Sequence, residues 1–148
     1  MKKFLICLSF IISISGFNAN AASVKDLLSH AVLPIGKCLY VYGGGWNEPD
    51  TGAGVEAVSY GLSPRWQDFY SQHGSDYNHK KFSYQIHDGL DCTGYVGWSL
   101  YQIFGNNYSQ NGYVYLAKDM ALEYAKLFNS MFVPSSGIVD YQSGDIMS

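Results

Sequence analysis

Gly89-Leu90-Asp91-Cys92-Thr93-Gly94-Tyr95-Val96 is the stretch from which the organisation of this chain can be worked out. It opens a helix predicted to run through Phe104, with Val96, Leu100, Ile103 and Phe104 toward the core and Gly105 as its stop. That places Cys92 at the helix N-terminus. A thiol is a useful nucleophile only as thiolate, and the partial positive charge of a helix N-terminus favours an anion. The N–H groups of the first turn have no intrahelical partner, so they can also stabilise the oxyanion of a tetrahedral intermediate. The competing reading of Cys92 is an inert small hydrophobe at the start of a buried helix.

Upstream, Cys38-Leu39-Tyr40-Val41-Tyr42 reads as a short buried strand or extended segment entering the triple glycine Gly43-Gly44-Gly45, where the backbone must turn sharply or approach something closely. Before it, Ser23 caps a helix whose apolar stripe is Val24, Leu27, Leu28 and Ala31, ended by Pro34 and Gly36. The 46 residues between Gly44 and Asp91 are too many for a structureless loop. A helix is expected inside them, with Ser63 as cap, Pro64 in the first turn, Trp66, Phe69, Tyr70 and His73 on one face and Gly74 as the end. The flanks, 47–54 and 74–81, read as loops. Downstream, Leu116, Met120, Tyr124, Leu127, Phe128 and Met131 repeat at helical spacing, and Ile138 to Met147 suggests a turn entering a strand.

The run around Cys92 resembles the signature of the NlpC/P60 family of cell-wall cysteine peptidases, in which Asp-Cys-Ser/Thr-Gly starts the helix that holds the nucleophile. Tyr40-Val41-Tyr42-Gly43-Gly44 is similar to that family's Tyr-x-Trp-Gly-Gly box, and Ser143-Gly144-Asp145-Ile146 resembles its Gly-Asp turn. The three motifs stand in the family's order and, with the helix from Val24, tie most of the chain to it. The resemblance implies an α+β, papain-like fold with helices packed on a small antiparallel sheet. It implies that Cys92 attacks the scissile amide and that Tyr40 orients substrate or supports the oxyanion site. Asp91 and Thr93 flank the nucleophile, where they are expected to contact the amine of a substrate peptide; a carboxylate beside an ammonium is a sensible recognition pair. Simple helix capping by Asp91 and a buried strand tyrosine at position 40 remain the alternatives. No metal or other cofactor is implied.

Two departures from the family pattern stand out. The segment 45–90 is an insertion that could wall or cover the cleft. In the family, the catalytic imidazole and the group orienting it follow the Gly-Asp turn, and here three residues follow Asp145. The expectation is a domain whose C-terminal strands are incomplete, with its histidine beyond Ser148. Of the four histidines present, His87 is nearest in sequence to Cys92 but precedes the helix. His30 and His73 read as helix residues and His79 as a loop residue. A zinc site from His73, His79, His87 and Asp88 lacks any recognised ligand spacing.

At the N-terminus, Met1-Lys2-Lys3, an apolar run from Phe4 to Phe17 and Ala19-Asn20-Ala21 have the form of a signal peptide over residues 1–21, shorter than the roughly 20 apolar residues of a membrane span. The remaining domain, 22–148, carries 7 basic and 12 acidic residues, a formal charge of −5, which argues against a nucleic-acid partner. Thirteen tyrosines suit a surface that binds sugars or peptides, and equally suit half-buried strands. Export allows a disulfide between Cys38 and Cys92, which would define a small structural domain instead. The leading expectation is a secreted or cell-wall/periplasmic peptidoglycan hydrolase acting on stem peptides, with no stable membrane span once the signal is cleaved. The alternative is a non-catalytic peptidoglycan-binding module or an inactive truncated product.

Overall fold

Local capping chemistry sets out most of the regular structure in this computed structural model, which describes residues 23–49, 51–134, 137 and 140. Helix α1, Val24–Ala31, starts at a reciprocal capping box in which the Ser23 hydroxyl accepts from the Asp26 N–H and the Asp26 carboxylate accepts from the Ser23 N–H. Helix α2, Pro64–His73, has proline in its first turn. Helix α3, Cys92–Phe104, ends at Gly105, whose φ of 51° belongs to the left-handed region that favours glycine. Helix α4 is Met120–Leu127, and a 3-10 turn spans His79–Lys81 within the segment expected to be loop.

The expected α+β, papain-like architecture is not formed. Helix takes 38% of the described residues and strand 4%, and no sheet is present among them. Tyr40 meets Leu90 in a single parallel bridge, and a further isolated antiparallel bridge joins Trp46 to Ala53. Positive φ at Gly43 (83°) and Gly45 (89°) turns the chain soon after Tyr40, and the residues leading to Leu90 are turns and bends, so the bridge does not extend into a ladder. The segment from Cys38 keeps the alternation of a strand, with Val41 buried between exposed Tyr40 and Tyr42. The expected signal peptide over residues 1–21 and the turn expected at Gly144-Asp145 lie outside the described residues.

Two apolar clusters form the interior. The first gathers Trp46, Ala57, Trp66, Leu90, Trp98 and Val114, with Trp66 and Trp98 edge to face at 5.8 Å. The second joins Leu100, Tyr101 and Tyr113 to Met120 and Tyr124 of α4. Helix α3 faces both, which is why Trp98, Leu100 and Tyr101 are all buried while Val96, Ile103 and Phe104, expected to face the core, are only half-buried. The segment 45–90, expected to wall or cover a cleft, also supplies part of the interior, since its Trp66 is fully enclosed in the first cluster. The apolar spacing read for α4 overran the helix at both ends: Leu116 and Met131 are exposed. Helix α1 buries none of its residues, although it packs along α3 and the Tyr95 hydroxyl donates to the Ala31 carbonyl. Among the described residues no helix is long and apolar enough to cross a membrane.

Candidate active site

The glycines before α3 act through close approach. A Cβ on Gly94 would strike the Gly44 carbonyl, and one on Gly45 would lie 2.8 Å from the Gly94 Cα. Backbone therefore packs directly on backbone. Around that contact the Asp91 N–H donates to the Gly44 carbonyl, the Gly45 N–H to the Ile86 carbonyl, and the Val41 N–H to the Leu90 carbonyl. These bonds fix where α3 begins and hence where Cys92 stands.

Asp91 is the N-cap of α3. Its Oδ1 accepts from the Gly94 N–H at 2.7 Å and from the Thr93 hydroxyl at 3.0 Å. The Trp46 indole N–H is shared between Asp91 Oδ2 at 3.0 Å and Thr93 Oγ1 at 3.1 Å. Both flanking side chains are buried, so capping and bracing Trp46 is the geometry they display, while both also line the cleft. The nucleophile candidate differs. Cys92 is exposed, and the N–H groups of Cys92 and Thr93 lie in the first helical turn, where no intrahelical acceptor exists.

Cys92 opens into a cleft of about 470 Å³. Its walls come from Tyr40, Tyr42 and Gly43, the loop Trp46 to Pro49, Tyr84 and Ile86, and Leu116 and Ala117 before α4. Tyr40 is half exposed, not a buried strand residue. Burial of its phenol, then the negative charge available to Cys92, Asp91 and Tyr42, holds the Tyr40 hydroxyl above its ordinary value, so it remains a donor at neutral pH. The Tyr40 carbonyl accepts from the Tyr77 hydroxyl, tying the segment from Cys38 to the chain after α2.

Cys38 and Cys92 are both free thiols, so no disulfide links them. Cys38 packs against the first cluster, and burial pushes its thiol up to about 12. None of the histidines lines the cleft among the described residues. The His30 ring contacts the Asp26 carbonyl, His73 packs on Phe69 and Phe82, His79 is in the 3-10 turn, and His87 Nδ1 meets both oxygens of buried Glu56 at 3.0 and 3.1 Å. No group of three histidine, cysteine or acidic residues able to hold a metal occurs among the described residues. Trp46, which braces the cap, was missed in the sequence because its partners are 45 and 47 positions away. Leu116 and Ala117 were missed because the helical spacing absorbed Leu116 into the core. No protein-family description, curated protein or solved structure matches this chain.

Proposed function

We propose that this chain is an exported cysteine peptidase of the NlpC/P60 type that hydrolyses an amide bond in peptidoglycan stem peptides. The observation that carries the reading is Cys92: an exposed thiol at the N-terminus of α3, in a cleft, within electrostatic reach of the Tyr40 phenol. In this reading Sγ attacks the amide carbon and the oxyanion takes hydrogen bonds from the first-turn N–H groups and Tyr40. The C–N bond then breaks, the leaving amine takes up the proton lost by the thiol, and water cleaves the thioester to return the free thiol and a carboxylic acid.

A second reading, a module that binds wall peptides without cutting them, is favoured by the aromatic walls Tyr40, Tyr42, Trp46 and Tyr84. Muropeptides incubated with the protein separate the two. New amines that disappear with Cys92→Ala, and fall about 10²-fold in kcat with Tyr40→Phe, support the peptidase. Stem-peptide binding that is equal in the parent and Cys92→Ala, with no amine released by either, supports the binding module. Hydrolysis unchanged by Cys92→Ala overturns the thiol mechanism. In the same preparation, iodoacetamide is expected to label Cys92 in the folded protein and Cys38 only after denaturation, because Cys38 is largely enclosed and its thiol is held protonated.

A further inference from the structure

The ionisable side chains along the Cys92 cleft are all acids: Glu48, Asp91, the Cys92 thiol and the phenols of Tyr40, Tyr42 and Tyr84. No lysine, arginine or histidine lines it among the described residues. A cleft lined by one sign of charge focuses its field inward and attracts the opposite sign. The exposed phenol rings act in the same direction, because the face of an aromatic ring draws a cation. Asp91, expected from the sequence to meet an amine, is already engaged. Its Oδ1 accepts from the Gly94 N–H and the Thr93 hydroxyl, and its Oδ2 from the Trp46 indole.

Glu48 is the carboxylate left over. It is exposed on the cleft wall and forms no hydrogen bond or ion pair among the described residues. Its neighbours set its place. Trp46 bridges to Ala53, the Asn47 N–H donates to the Gly52 carbonyl at 3.0 Å, and Asn47 Oδ1 accepts from the N–H groups of Thr51 at 2.8 Å and Gly52 at 3.1 Å. The Trp46 indole anchors the same turn to the cap beside Cys92. A carboxylate with all its acceptor sites free is thus carried on a pinned turn, which lowers the cost of ordering it around a ligand. We infer that Glu48 selects ligands bearing a free primary ammonium and pairs with that ammonium in the cleft. It is then a specificity residue for peptides with an unblocked amine, at the N-terminus or on a lysine-like side chain. The peptide as substrate rests on the peptidase reading above; the preference for a cation does not.

Calorimetric titration of the full chain carrying Cys92→Ala, so that nothing is turned over, tests this with a stem tetrapeptide that has a free N-terminal amine and a lysine side-chain amine. Acetylating one of the two amines is expected to weaken binding about fivefold, and the amine whose blocking does so identifies the source of the ammonium. Adding Glu48→Gln should cost about the same with the unblocked peptide and abolish the effect of acetylation, the signature of a direct pair. Raising the salt concentration should weaken binding before Glu48→Gln is added and much less after it. Glu48 is exposed, and circular dichroism checks that the helices persist in the variant. Equal binding with both amines blocked overturns the inference, as do losses from acetylation and from Glu48→Gln that simply multiply, or failure of the unblocked peptide to bind. Any of these, alongside Cys92-dependent release of amines by the parent protein, leaves the peptidase standing. Binding that depends on both Glu48 and the free amine, in a protein whose parent form releases no amine, counts against the peptidase and leaves the ammonium site in place.

Discussion

The surroundings of Cys92 and the outer rim of the helices are held by opposite means. Around Cys92, backbone touches backbone: Gly44, Gly45, Gly89 and Gly94 have no room for a Cβ, and main-chain bonds lock the segments on either side. At the rim, side chains do the work loosely. Leu28, Ile35 and Met131 are 58%, 75% and 83% exposed, and α1 buries none of its residues. Packing that relies on side chains can adjust by changing rotamers, whereas packing of main chain on main chain cannot. The position of Cys92 is thus specified far more tightly than the outline of the molecule.

Adding one methyl group probes that contrast most strongly. Gly94→Ala drives its Cβ into the Gly44 carbonyl and is expected to cost about 3 kcal/mol, whereas Gly52→Ala, whose Cβ would meet nothing within 4 Å, is expected to change stability by under about 1 kcal/mol. Urea melts of the two variants measure the difference, and equal midpoints would erase the distinction between the regions. Trp46→Phe is the intermediate case. It keeps most of the ring but removes the donor shared by Asp91 and Thr93, leaving a buried carboxylate oxygen short of a partner, at a cost of about 2 kcal/mol in the same assay.

The smallest effect belongs to the rim. Ser23→Ala removes half of the α1 capping box and should lower Tm by about 4 °C at neutral pH. Hydrogen bonds from the Ser23 side chain and backbone hold the Asp26 carboxyl below its ordinary value. Its contribution is therefore present above the unfolded-state value and lost as pH falls through the lower folded-state value. Melting curves of parent and variant should converge on acidification through the carboxylate range; a gap that widens instead would contradict this assignment.

What could be read from the sequence follows the same division between local and distant causes. Ser23, Pro64 and Gly105 act on their own helices, and α1, α2 and α3 lie where those residues place them. The end of α4 carried no such punctuation, so apolar spacing that continued to Met131 outran the helix. Sheet pairing depends on partners far along the chain, and the positive φ at Gly45 belongs to a glycine that also lets α3 approach. Cys92 and Tyr40 were singled out because their motifs are contiguous, and the fold brings both to one cleft. The bond from Trp46 to the cap became visible only once the chain was folded.

Three indoles give this molecule an unequal set of optical reporters. Trp66 and Trp98 are fully enclosed in the interior and take no part in lining the cleft, whereas Trp46 forms part of its wall and is hydrogen-bonded to the cap beside Cys92. Intrinsic fluorescence should therefore contain two constant components and one sensitive to what enters the cleft. A ligand there is expected to shift the emission of the parent protein and leave that of Trp46→Phe unmoved, so occupancy can be followed without attaching any label.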